Sequence, residues 1–193
     1  MNKITSAIIL LAFYTGAYSQ NSDSTAKKKI NDSEIICKIV DEFTDEISYS
    51  TEGAIAYEDG GDMKSEGMLL RLFLTKKNNM LKAGTLYVKV VGLKGCVDEG
   101  SSLIVIFENG EKTKLINWKK FNCKGKNYFT LTKQNIELFK NSEIKGLKYT
   151  NKRDFESMIV KENINSENKS FIKDVLTEID EINKGDVKVG TCD

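Results

Sequence analysis

Carboxylates are the side chains of this sequence that could do hydrolytic chemistry. The 193 residues include 28 Asp and Glu but no histidine, which removes the usual general base, the usual metal ligand and the middle member of a Ser-His-Asp triad. A pair of facing carboxylates can still cleave a glycosidic bond without histidine. The candidates for such a pair are the acidic residues of predicted turns, namely Glu58, Asp59, Asp62, Asp98 and Glu99.

The acidic bend at residues 57–62 is the most site-like of these turns. Its sequence, Tyr-Glu-Asp-Gly-Gly-Asp, places carboxylates on a glycine-rich bend where several oxygens could converge on calcium. The bend lacks the alternating Asp-x-Asp-x-Asp-Gly pattern of a dedicated calcium loop. We therefore interpret its carboxylates as solvated turn residues, and we predict no metal site, no cofactor and no catalytic residue.

Four cysteines with no Cys-x-x-Cys pair among them favour two structural disulfides over a redox or metal site, and these cysteines are Cys37, Cys96, Cys123 and Cys192. Spacing alone leaves three pairings open. We favour Cys96 with Cys123, because they flank a predicted hairpin that turns at residues 109–110 and brings its outer ends together. The remaining pair, Cys37 with Cys192, would join the start of the folded domain to its C-terminal tail.

The N-terminus has the features of a secretory signal peptide over residues 1–19. A positive charge at Lys3 precedes an apolar run over residues 7–14, and the small residues Ala17 and Ser19 precede the cleavage site. The apolar run is too short to span a bilayer, and no later window is apolar enough for a membrane helix. We therefore expect an exported protein, periplasmic, at the cell surface or secreted, with no membrane insertion after signal removal.

The charge of the mature chain argues against a nucleic-acid partner. Loss of Lys3 with the signal peptide leaves equal numbers of basic and acidic residues, so bulk charge attracts neither nucleic acid nor an anionic membrane. Walker and dinucleotide-binding glycine motifs are also missing from the sequence.

The hydrophobic pattern predicts one mainly β (α+β) domain over residues 33–193, after a flexible leader over residues 20–32. Apolar and polar residues alternate as half-buried strands require, and turn-rich connections separate the runs. We expect an antiparallel β-sandwich or curled sheet, with a short helix near residues 133–140 capped by Thr132, and an amphipathic C-terminal helix near residues 167–184 packed on the sheet. The predicted strands cover residues 34–40, 46–52, 68–75, 85–91, 102–107, 112–118, 144–150 and 155–160.

Residues around the only tryptophan form the candidate partner-binding segment, which comprises Trp118, Lys119, Lys120 and Phe121. Exposed rings on a β module can stack on sugars or peptides. A core position beside the disulfide is the commoner environment for such a tryptophan, and we favour it for Trp118. The lysines could meet an anionic polymer, although lysines also protect sheet edges from aggregation.

These features favour an exported, noncatalytic β-rich module that binds a protein or glycan partner in the periplasm or at the cell surface. The signal peptide, the disulfides and the missing catalytic motifs support this hypothesis. The alternative is a carboxylate-dependent hydrolase of an extracellular or cell-wall polysaccharide, which requires two facing carboxylates in a cleft.

Overall fold

The structure, a computed structural model, describes residues 35–59, 66–78, 80–93 and 96–184. All of them belong to the unit formed by residues 33–193. The predicted signal peptide and leader, and the predicted roles of Asp62 and Cys192, lie outside the described residues.

Ten strands and two α-helices form the described part of the chain. The strands are β1 (Ile35–Asp41), β2 (Glu46–Thr51), β3 (Ala54–Asp59), β4 (Glu66–Lys77), β5 (Met80–Val91), β6 (Ser102–Phe107), β7 (Lys112–Ile116), β8 (Lys126–Leu131), β9 (Ile144–Thr150) and β10 (Ser157–Val160). The helices are α1 (Lys133–Asn141) and α2 (Phe171–Lys184), and a short 3-10 helix at Ser166–Asn168 precedes α2.

The strands form two antiparallel sheets. The first sheet has six strands in the order β1, β2, β4, β5, β8, and β3 also pairs with β4. Because β4 has 12 residues, β2 pairs with its second half and β3 with its first half. The second sheet has the order β10, β9, β6, β7. This arrangement confirms the predicted mainly β, α+β fold.

Alternation along the strands builds one apolar core from both sheets and both helices. In β4 the even-numbered residues from Met68 to Leu74 are buried, while their odd-numbered neighbours are partly exposed. Each large apolar side chain removed from water contributes about 1.5–3 kcal/mol to folding. The two sheets also share a polar contact, since the buried Tyr149 hydroxyl of β9 donates to the Asn127 Oδ1 of β8 at 3.0 Å.

The two helices follow the sequence pattern closely. Thr132 caps α1 as predicted: its hydroxyl accepts from the Asn135 N–H at 3.2 Å, and the Asn135 side chain accepts from the Thr132 N–H at 3.0 Å. This reciprocal pair satisfies two backbone donors that a helix start leaves free. The buried stripe of α2 includes Ile172, Val175 and Ile179, so the helix packs its apolar face into the core.

Candidate binding surface

Three loops meet beside the second sheet and are tied together by polar side chains. They comprise residues 96–101, 117–125 and 151–156, and we call them the loop end. The side chain of Asn151, which is buried, donates to the Cys96 carbonyl at 3.1 Å and accepts from the Ser101 hydroxyl at 3.3 Å. The third loop is thereby attached to the first.

A disulfide joins the first and second loops. Cys96 is bonded to Cys123, which confirms the preferred pairing. Next to them, Val97 and Asn122 exchange both backbone hydrogen bonds, at 2.8 and 3.0 Å, so the cross-link extends a short antiparallel ladder. Cys37 is also disulfide-bonded, and the partner that we predicted for it lies outside the described residues.

Asn117, directly after β7, is the centre of the polar network. Its side chain is buried and makes four hydrogen bonds: Nδ2 donates to the carbonyls of Asp98 (2.9 Å) and Lys119 (3.0 Å), and Oδ1 accepts from the N–H groups of Lys119 (3.2 Å) and Tyr128 (2.8 Å). The amide is therefore fully satisfied. The residue links two loops to β8 and fixes the backbone immediately before Trp118.

The candidate partner-binding residues all lie on the surface of the second loop: Trp118, Lys119, Lys120 and Phe121. Trp118 is 50% exposed and Phe121 is 51% exposed. The expectation that Trp118 belongs to the core is therefore wrong. Leu115 and Asn117 take the inward positions at the end of β7, and side chains two residues apart share a face, so Trp118 points outward.

Cations accompany the exposed rings. The Arg153 guanidinium lies 5.2 Å from the centre of the Phe121 ring, and Lys119 Nζ lies 5.6 Å from the centre of the Tyr128 ring. Both distances fall within the range of cation–π attraction. The loop end and the adjoining strand β8 therefore place cations next to aromatic rings, and the loop end also carries the acidic Asp98, Glu99, Asp154 and Glu156.

A row of side chains crosses the outer face of the first sheet, the face opposite the core, and ends at Trp118. Arg71 of β4 is paired with Tyr87 of β5, and Tyr87 is paired with Tyr128 of β8. The rings of Tyr87 and Tyr128 lie 5.2 Å apart at 63°, and those of Tyr128 and Trp118 lie 5.6 Å apart at 48°. We call Arg71, Tyr87, Tyr128 and Trp118 the ring row.

Arg71 and Tyr87 were missed at the sequence level. Both residues lie at outward positions, whereas their strands were predicted from the inward apolar residues. They are 16 positions apart in the chain, so only the strand register shows that they are neighbours. Partial burial raises the pKa of the Tyr87 hydroxyl above its usual value; Tyr128 adds to the increase and Arg71 opposes it. The alternating pattern identified both strands, but no local signal in the sequence identifies the row.

Two shallow depressions adjoin the ring row. The first, of about 560 Å³, is bordered by Trp118 and Lys152 among others. The second, of about 250 Å³, lies on the outer face and is bordered by Leu69, Arg71, Phe73, Tyr87, Lys126 and Tyr128. Because Trp118 borders the first and Tyr128 the second, the packed pair of rings connects the two depressions.

The candidate carboxylates are divided between two elements. Glu58 and Asp59 end β3, whereas Asp98 and Glu99 lie in the first loop. Asp98 Oδ1 accepts the Glu99 N–H at 2.8 Å, a turn contact, and Glu99 borders the first depression. Within the described ranges no three acidic or cysteine side chains are close enough to hold a metal ion.

In the part of the chain that the structure describes, no helix combines the length and apolarity needed to cross a membrane. Comparison with protein-family models, with curated proteins and with solved structures finds no match to this chain. Its chemistry must therefore be inferred from the residues themselves.

Proposed function

We propose that this protein is an exported, noncatalytic binding module that holds a protein or glycan partner at the loop end. The observation that carries the proposal is the half-exposed Trp118, presented by a loop whose backbone is held by the buried side chain of Asn117. Tryptophan on a rigid support is a typical centre of binding energy, because burial of its large ring stabilises the complex and little conformational entropy is lost.

The disulfide supports the exported location. Cystine bridges persist in oxidising compartments such as the periplasm or the extracellular space, and Cys96–Cys123 joins two loops of the proposed surface. The predicted signal peptide agrees with this location. Periplasm, cell surface and secretion are equally compatible with both observations.

The cations next to Trp118 and Phe121 favour a partner with anionic or hydrogen-bond-accepting groups. Lys119 and Lys120 follow Trp118 in the chain, Lys152 borders the same depression together with the acidic Glu99, and Arg153 lies over Phe121. Opposite charge on a partner would accelerate association and would exclude basic competitors.

The test compares two double variants of the mature chain, residues 20–193, produced in an oxidising compartment. Trp118→Ala with Phe121→Ala removes the two exposed rings of the second loop, and Ile159→Ala with Met80→Ala removes two apolar side chains that are exposed elsewhere. Each protein is crosslinked in its native envelope and is also passed over a panel of immobilised polysaccharides. We expect the first variant to lose at least tenfold in retention and the second to behave like the wild type.

Equal retention of both variants would contradict the proposal, because the rings would then contribute nothing to binding. Release of new reducing ends from a polysaccharide by the wild type would instead support the carboxylate hydrolase. In that case Glu99→Gln, at the first depression, should abolish the release.

A further inference from the structure

We propose that the ring row binds a single chain of a carboxylated polysaccharide laid across the strands of the first sheet. This inference rests on the proposed binding function and names its ligand class and its full surface. The row runs from the guanidinium of Arg71 over two tyrosines to the loop end at Trp118, and it extends the candidate segment well beyond residues 118–121.

The ring row is long and narrow. Neighbouring strands lie about 4.8 Å apart, so a row that crosses from β4 through β5 and β8 to Trp118 is about 14 Å long. The row lies on the outer face of the sheet. Beneath it, β4 and β5 each have a neighbouring strand on both sides, so their backbone groups are already paired. β8 ends the sheet, but the N–H of its Tyr128 donates to Asn117 Oδ1 and the Tyr128 carbonyl accepts from the Trp118 N–H. At the described residues of the row an extended peptide therefore finds these backbone groups occupied, and recognition falls to side chains.

The outward side chains beside the ring row are basic or uncharged. On β4, β5 and β8 the outward residues beside the row are Leu69, Phe73, Thr85, Lys89, Lys126 and Thr130. With Arg71 they carry three positive charges and no negative one. An anionic ligand is therefore complementary to this face, although the whole mature chain is neutral.

Arg71 supplies the cation at one end of the ring row. Its Nε is buried and has no hydrogen-bond acceptor among the described residues. A guanidinium forms strong, two-pronged hydrogen bonds with carboxylates, and an unmet buried donor is costly. A carboxylate on the ligand at this end of the row would supply an acceptor for the guanidinium.

The lysine of this depression favours a sugar chain over a protein surface. Lysine is depleted from protein interfaces, although arginine and aromatic residues are not, and Lys126 borders the same depression as Tyr87 and Tyr128. Sugar rings present C–H faces to aromatic rings and hydroxyl or carboxylate groups to cations beside them. The inclined rings, at 63° and 48° to one another, suit successive sugars of a twisted single chain better than a flat crystalline surface.

The experiment measures binding of the mature wild-type chain to alginate, polygalacturonate and hyaluronate, with dextran as the neutral polymer and polyglutamate and single-stranded DNA as other polyanions. Isothermal calorimetry and the emission of the single tryptophan report binding. We expect at least one carboxylated polysaccharide to bind at least tenfold more tightly than every other polymer, with affinity that falls as salt is added.

Two charge-matched variants test the row itself. Arg71→Gln should weaken binding of that polysaccharide at least tenfold, while Lys148→Gln, which removes an exposed charge from the second sheet, should change it less than twofold. Tyr87→Ala should also weaken binding tenfold, with folding verified by far-ultraviolet circular dichroism. Unchanged binding by Arg71→Gln and Tyr87→Ala would overturn the inference.

The other outcomes separate this inference from the proposed function. Equal binding of dextran, or equal binding of polyglutamate or DNA, would overturn the ligand class and would leave a binding module in place. Failure of the wild type to bind any carboxylated polysaccharide would overturn the inference alone, since envelope crosslinking through Trp118 decides the broader proposal independently.

Discussion

Asn117 should be the most costly polar residue to lose at the candidate surface. In Asn117→Ala four side-chain hydrogen bonds disappear. The Asn117 side chain is buried, and the two carbonyls and two N–H groups that it satisfied then lose a partner at a partly buried site. At about 1 kcal/mol for each hydrogen bond, the free energy of unfolding should fall by about 4 kcal/mol. This corresponds to a decrease of about 10 °C in Tm for a domain of this size.

Asn122→Ala is a matched control for the same residue type. Its side chain donates to the Lys126 carbonyl at 2.8 Å and accepts from the N–H groups of Lys124 and Lys126 at 3.2 and 3.1 Å. These contacts are solvent-accessible, so water can replace the lost amide. We expect a loss of about 1 kcal/mol or less.

The assay is equilibrium unfolding in urea followed by two signals. Far-ultraviolet circular dichroism reports on the sheets, and the fluorescence of Trp118, the only tryptophan, reports on the loop that Asn117 holds. In Asn117→Ala the fluorescence transition should begin at lower urea than the circular dichroism transition. If Asn117→Ala lost no more stability than Asn122→Ala, the view that a buried amide organises this surface would be refuted.

Three further predictions concern the stability of the domain. Replacement of both Cys96 and Cys123 by serine removes a cross-link with a sequence separation of 27, which should cost about 3.5 kcal/mol in the chain-entropy treatment; an unchanged urea midpoint would contradict this. Burial raises the pKa of the Tyr149 hydroxyl, so the unfolded chain releases this proton at lower pH than the folded chain does. Stability should therefore fall above pH 10, the usual tyrosine pKa. The decrease of Tm with pH should be shallower for Tyr149→Phe than for the wild type, and equal slopes would contradict this prediction. Gly125 and Gly110 both have a positive φ, but a Cβ at Gly125 would meet a backbone carbonyl of β5, whereas a Cβ at Gly110 would lie in open space. Calorimetry should show that Gly110→Ala lowers the free energy of unfolding by about 1–2 kcal/mol and that Gly125→Ala lowers it clearly more.

Local signals in the sequence were sufficient for much of the fold. The Asn109-Gly110 turn between two alternating runs predicted the β6–β7 hairpin, and the apolar stripe of α2 and the cap at Thr132 predicted both helices. These elements are specified by residues within a few positions of one another. The structure confirms them, and it confirms the Cys96–Cys123 disulfide, because the ends of a hairpin must approach each other.

Strand β8 was not predicted from the sequence, for a physical reason. Its six residues, Lys126–Leu131, do alternate between buried and outward side chains, but the run is short, carries Asn127 at an inward position and directly precedes a helix cap. An amide at a core position weakens the apolar pattern. Asn127 is nevertheless buried, because its side chain accepts the Tyr149 hydroxyl and donates to the Val88 carbonyl of β5. Both partners are more than 20 positions away in the chain, so no local window contains them.

The candidate surface was predictable only in part. Trp118 and its neighbours were recognisable as binding candidates by residue type. Their exposure depends on whether the odd- or even-numbered residues at the end of β7 face the core, and the prediction that Trp118 lies in the core was wrong. The rest of the ring row depended on register: Arg71 and Tyr128 are brought together through β5 although 57 positions separate them. Non-local pairing of this kind is fixed by the whole core and leaves no periodic signal.

The alternation of the three strands beneath the ring row separates the residues that fold the domain from those that would choose its ligand. On β4, β5 and β8 the inward side chains fill the core, while positions 69, 71, 73, 85, 87, 89, 126, 128 and 130 face the other way. Substitutions at these nine positions touch little of the core and should change stability modestly. The face can therefore diverge rapidly in specificity on an unchanged scaffold, and a combinatorial library restricted to it would be a practical source of new binding modules.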